Sequence, residues 1–145
     1  MKSYTNIEQS RKLAEILPIE SADCCYFEVR ENGEVIPTPG FMDIKGLQKE
    51  KRLLKEVSLI PCWSLSALLN VMPKDIKYFH TLTMDFVNTH SKIGWRIGYC
   101  NEHWSFKKEF INTNPVFAAY ECICWLFENK LIEKKSINDY EENYQ

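Results

Sequence analysis

The 145-residue chain has few glycines, five in all, and they are scattered. No Walker-type loop or other glycine-rich turn is present to cradle a phosphate. No run approaches the roughly 18 apolar residues of a membrane span. Residues Met1 to Ser10 are polar, without the apolar centre of a signal peptide, so the expected location is cytoplasmic. A net charge of −2 supplies no basic excess to recommend nucleic acid as a partner. The one dense basic stretch, Lys45 to Lys55, has Glu50 and Glu56 with it and reads equally as a local basic patch or as a solvated helix face. A disulfide framework is missing too. Of six cysteines, Cys24 and Cys25 are adjacent and Cys122 and Cys124 are two apart on a helical pattern, unlike the spacings of secreted domains. Six free thiols are expected. Cys100 and His103 sit near a turn, but two ligands without a second pair do not make a zinc site, so no metal or cofactor is expected.

What is present is a hydrophobic content of 45% with 13% aromatics, enough for a packed core. Thr5 and Glu8 have capping-box spacing and open a first helix through Ile7, Leu13, Ala14 and Leu17, stopped by Pro18. Cys25 to Val29 reads as a strand, Asn32-Gly33 as a tight hairpin turn, and Val35-Ile36 as its return. Residues 41–58 fit either a charged helix or a long loop. Leu65, Leu68, Leu69 and Met72 recur at helical spacing after Ser64, a good N-cap, and Pro73 closes that helix.

The period then changes to two. Leu82, Met84 and Phe86, then Ile93, Trp95, Ile97 and Tyr99, then Trp104, Phe106 and Phe110 alternate with polar or small residues. This predicts a three-stranded antiparallel meander with one apolar face. Asn114-Pro115 opens a last helix that is apolar almost all round, since Glu121 is the only charge between Val116 and Phe127. One sheet face cannot cover such a helix. Leu82, Met84, Trp95, Ile97, Phe106, Phe117, Tyr120, Ile123 and Phe127 are the expected core. Ala118, Cys122, Trp125 and Leu126 point elsewhere, to be covered by the first helix or by an interface with another molecule. The expected fold is α+β: the meander plus a short N-terminal hairpin, with about three helices packed on one side. Residues 1–133 form one domain, and residues 134–145 a polar tail.

Few residues suggest chemistry. Cys62, just ahead of a helix, could have a lowered pKa and act as a hydrolase nucleophile with His80, His90 or His103 as base. No glycine turn accompanies it, and a core role for Cys62 and Trp63 is the simpler reading. Trp104, Phe106, Lys107 and Lys108 interleave rings with positive charge, the pattern that stacks on single-stranded nucleic acid.

Three stretches together carry a family likeness: Tyr4-Thr5-Asn6-Ile7-Glu8-Gln9-Ser10, Pro61 to Leu69 with its Met72-Pro73 close, and the Asn114-Pro115 helix ending in Cys124-Trp125-Leu126-Phe127-Glu128-Asn129. In this combination the chain resembles short uncharacterised proteins of gut Bacteroides species and of their phages and mobile elements. The resemblance implies an accessory role in a bacterial or phage setting, and no catalytic residue follows from it. The leading expectation is a non-enzymatic binding protein with a protein partner, including a second copy of itself. The Cys62 hydrolase is the alternative, and a single-strand binder the third reading.

Overall fold

A computed structural model describes residues 3–36 and 55–132. They form an α+β protein with two antiparallel sheets, and the chain divides into two compact units, Tyr4–Ala67 and Leu68–Glu133.

The first unit contains α1 (Ile7–Ile16), β1 (Cys24–Val29) and β2 (Val57–Cys62). The capping box lies one residue later than the sequence pattern suggested. Gln9 N–H donates to Asn6 Oδ1 at 2.8 Å, and Asn6 N–H donates to Gln9 Oε1 at 3.1 Å. Thr5 is fully buried instead. Its hydroxyl lies 2.8 Å from Ser10 Oγ and accepts from Trp63 N–H at 3.1 Å, and its carbonyl accepts from the Tyr26 hydroxyl at 2.8 Å. A buried hydroxyl that is satisfied on several sides costs little and ties α1, β1 and the residue after β2 together.

The expected Asn-Gly hairpin exists but is minor. Gly33 takes φ 71°, and Val35 returns as a single bridge to Glu28. The main partner of β1 is β2, in register from Cys24↔Cys62 to Val29↔Val57. Val57 and Ser58 belong to the segment whose structure the sequence left open, and most of that segment lies outside the described residues. Six ladder pairs bearing Leu59 and Ile60 outweigh the single bridge of the local return. Ser64 caps α2 (Leu65–Val71) as expected, accepting from Ala67 N–H at 3.3 Å.

The second unit contains β3 (Asp75–Ile76), β4 (His80–Asn88), β5 (Ile93–Cys100), β6 (Phe106–Asn112) and α3 (Pro115–Glu128). The strands run in the order β3-β4-β5-β6, the expected meander with one short strand added. Cross-strand partners share a face. Leu82, Tyr99 and Lys108 line up, as do Met84, Ile97 and Phe110, so the predicted apolar face is assembled from these strands.

Phe106 is the exception. A bulge near the start of β6 shifts the register, pairing Tyr99 with Lys108 but Cys100 with Phe106. One extra residue turns every earlier side chain to the opposite face. Phe106 therefore leaves the core face and lies under Arg96, whose Cζ is 4.3 Å from the ring centroid. Arg96 also holds Asp85 through two hydrogen bonds (2.8 and 2.5 Å) and reaches Glu109 at 3.3 Å. The guanidinium beside Asp85 pulls its carboxyl below the usual range.

Asn114 caps α3, accepting from Val116 N–H at 3.0 Å, with Pro115 in the first turn. The helix faces β5 and β6 with a different stripe from the one expected. Trp125 packs on Tyr99 and Phe110, with ring centroids 6.3 and 6.4 Å apart. Ala118, Cys122 and Leu126 are fully buried. These side chains, nominated for an interface, are core, because Ala118 and Cys122 are small enough to let the helix approach the sheet. Of the expected core, Ile97 and Ile123 are fully buried, while Leu82, Trp95, Phe106, Phe117, Tyr120 and Phe127 are half-buried. Met84 remains 41% exposed. Within their own units α1 packs against β2, and α3 against β5 and β6. The proposed tail, residues 134–145, lies outside the described residues.

β5 and β6 approach closely at Gly98. A Cβ there would meet the Lys108 carbonyl oxygen at 2.2 Å, and that oxygen belongs to backbone that cannot rotate away. Gly98→Ala should therefore destabilise the protein by roughly 1–3 kcal/mol or more. Urea unfolding measures the loss, and an unchanged midpoint would show that the strands can part without cost.

Candidate surface at the aromatic end of the sheet

The four-stranded sheet has one end built from two turns, residues 77–79 between β3 and β4 and residues 101–105 between β5 and β6. The pairs Thr81↔Cys100 and Cys100↔Phe106 place both turns at that end. Each turn pushes large rings into solvent. Tyr78 is 77% exposed, Phe79 94% and Trp104 69%. All three have left-handed backbone, with φ of 67°, 61° and 61°. Such conformations suit Gly or Asn, and a bulky side chain there is an outlier.

The local chemistry explains how the turns hold. Asn101 Oδ1 accepts from His103 N–H at 2.9 Å and from Ser105 N–H at 3.0 Å, while Trp104 N–H donates to the Asn101 carbonyl at 3.0 Å. This closes the loop tightly around Asn101 and turns Trp104 outward. In the other turn His80 Nδ1 lies 3.0 Å from the Lys77 carbonyl.

The last turn of α3 lies beside this end. Leu131 N–H bonds the Leu126 carbonyl at 2.8 Å and Lys130 N–H the Phe127 carbonyl at 3.1 Å, a Schellman close. Its left-handed residue is Lys130, φ 57°, where glycine is usual. Every non-glycine residue with positive φ among those described thus belongs to these two turns or to this helix end. A cleft of about 200 Å³ lies between the first of these turns, the start of β6 and the helix end, lined by Ile76, Tyr78, Trp125 and Leu131 with Lys77 and Lys107. It has room for a single planar ring and not for a larger ligand.

Charge at this end departs from the rest of the chain. Lys74, Lys77, Lys107, Lys108 and Lys130 stand with Asp75, Glu102, Glu109 and Glu128 in the same segments, and Glu109 is engaged by Arg96 and Lys92. Asp75 is held by the Thr81 hydroxyl at 3.0 Å, and Glu102 lies 3.5 Å from His103. Lys108 Nζ is 5.6 Å from the Phe110 ring centroid. Among the described residues, none of Lys74, Lys77, Lys107 or Lys130 is in an ion pair.

The Cys62 reading fares differently. Cys62 ends β2 directly opposite Cys24 and is fully buried in a cluster with Cys24, Tyr26 and Ile60. Burial, then the neighbouring Cys24 and Cys25, push its thiol well above the ordinary range. A nucleophilic thiol needs the opposite shift. Cys62 does precede a helix whose cap is Ser64, but its pairing with Cys24 places it in the core. His80 opens β4, His103 lies in the turn before β6, and His90 is exposed between β4 and β5. Of the set read from sequence as a stacking surface, Trp104 and Lys107 are at the aromatic end, while Phe106 is taken by Arg96. Tyr78 and Phe79 were missed. The signal for them was two adjacent aromatics in a turn without Gly or Asn.

No protein-family model, curated protein or solved structure matches the chain.

All six cysteines are buried free thiols. Burial raises Cys24, Cys25 and Cys122 as well as Cys62, with Cys24 and Cys122 pushed up to about 12. At neutral pH the reactive thiolate of Cys24 and Cys122 should fall by about a thousandfold relative to an ordinary cysteine. Native protein at pH 7.5 should therefore label with iodoacetamide far more slowly than denatured protein. Rapid labelling of Cys62 in the native state would reverse this assignment.

Proposed function

We propose that this is a non-enzymatic binding protein, acting in the cytoplasm in an accessory role of the phage or mobile-element type, and that the aromatic end of its four-stranded sheet is the contact surface. The observation that carries the reading is the group of three exposed aromatics, Tyr78, Phe79 and Trp104, each held in a left-handed backbone conformation. Strained backbone costs of order 1–3 kcal/mol per residue and collects at functional sites. Rings so exposed return little of that cost through packing, so contact with another molecule is the remaining role for them. The raised thiol pKa values and the burial of Cys62 support a non-enzymatic reading over thiol hydrolysis.

A second reading, self-association, is favoured by a separate observation. Leu82 N–H donates to the Lys74 carbonyl at 2.8 Å, so the even-numbered residues of β4 turn their backbone groups away from β5. Beyond Leu82 no strand among the described residues pairs with that edge. Met84 and Phe86 beside it are 41% and 53% exposed, and no lysine, proline or bulge guards it. The opposite edge, β6, has both a bulge and Lys107-Lys108. Unguarded edges add strands, and a second copy is the commonest partner.

Two measurements separate these readings from purely structural roles. Replacing Tyr78 with Asn and Phe79 with Gly, the residues such a turn prefers, should raise stability by about 1–3 kcal/mol if the rings are retained for contact. A loss of stability would make them structural and end the contact reading. For self-association, the protein should sediment as a dimer at micromolar concentration and Met84→Lys as a folded monomer. A monomeric parent protein would dismiss the β4 contact.

A further inference from the structure

We infer that the aromatic end binds single-stranded nucleic acid, with bases stacked on Trp104, Tyr78 and Phe79 and phosphates held by Lys77, Lys107 and their neighbours. This rests on the contact reading above and gives it a ligand. Its first support is shape. The three rings stand on two separate turns at one end of a sheet, each with most of its surface in water. Among the described residues none of the three is in ring contact with another aromatic, whereas a protein partner's contact is built on a continuous apolar centre. Separate exposed rings suit successive bases, because every base has a face that stacks and an unpaired strand can place bases one at a time.

Charge is the second support. Lys77 and Lys107 line the cleft that Tyr78 and Trp125 close, and Lys74 and Lys130 border it in sequence. None of these four is in an ion pair among the described residues, although the whole chain carries a net charge of −2. Lysines left without carboxylates around stacking rings match a polyanion with planar side groups. The cleft of about 200 Å³ fits one ring-sized group between Tyr78 and the end of α3. Duplex nucleic acid does not fit this arrangement, since its bases are stacked on one another and offer no free faces.

Fluorescence anisotropy with a labelled oligothymidylate of about twelve nucleotides tests the inference on the full chain. Binding is expected at about 50 mM salt and should weaken as salt rises, with the logarithmic slope set by the phosphates neutralised. Trp104→Ala should weaken it about 5- to 100-fold, and Phe79→Ala, at a residue 94% exposed, should act in the same direction without unfolding the protein. Lys77→Gln with Lys107→Gln should make the slope shallower by about 1.4. The same sequence as a duplex should bind at least about tenfold more weakly. No salt-dependent binding, or binding indifferent to both ring substitutions, overturns the inference. If binding is absent while the Asn-Gly turn replacement still stabilises the protein, the contact surface stands and serves a protein partner. If that replacement destabilises the protein as well, both readings fall.

Discussion

The backbone of β6 passes so close to Gly98 that no side chain fits between the strands, and much of the second unit depends on that approach. β5 pairs with β4 along its whole length and with β6 from Trp95 to Cys100, and its register fixes which residues share a face with which. With Gly98 opposite Glu109, Tyr99 and Phe110 stand where Trp125 packs, and Arg96 stands where Asp85 and Glu109 meet it. The bulge that follows moves Phe106 to the polar face and leads into the Asn101 loop that presents Trp104. A single glycine thus connects the sheet's packing to the geometry of its exposed end.

The first unit is organised by a different device. Thr5, Ser10, Tyr26 and Trp63 exchange hydrogen bonds in a region closed to water, which draws the start of α1 onto the residue that follows β2. Such a network is strong because each member is satisfied, and an unpaired member would cost far more than an exposed one. Trp63 Nε1 donates to Ser21 Oγ at 2.9 Å and extends the network to the segment before β1. The buried thiols of Cys24, Cys25 and Cys62 lie on the strands that this network anchors, and their raised pKa values are a consequence of that burial. Chemistry is suppressed here by the same packing that makes the unit stable.

At the aromatic end the balance runs the other way. The core and the hydrogen-bonded knot place residues where their preferences are met, whereas Tyr78, Phe79, Trp104 and Lys130 occupy backbone conformations that other residues would fill at lower cost. A fold that is locally consistent elsewhere and inconsistent at one corner is the pattern expected where function competes with stability. The lysines at that corner that form no ion pair among the described residues point the same way.

The sequence alone determined what depends on neighbours a few residues apart. Alternation fixed the faces of β4 and β5, Asn114-Pro115 began α3, Ser64 capped α2, and the apolar circumference of α3 required burial on more than one side. Interleaved rings and charge singled out Trp104 and Lys107, although alternation put Trp104 on the strand and not in the turn where it stands. The tertiary structure decided what depends on partners distant in sequence. β2 became the partner of β1 because six ladder pairs outweigh one local bridge, and that choice turned Cys62 from a candidate nucleophile into core. The stripe of α3 that meets the sheet is the one where Ala118 and Cys122 let Trp125 reach Tyr99. The bulge that diverted Phe106 leaves no mark in a two-residue period. The closure of two turns at one sheet end, which joins Tyr78 and Phe79 to Trp104, exists only once β4, β5 and β6 are in register, because pairing across strands has no signature within any one of them.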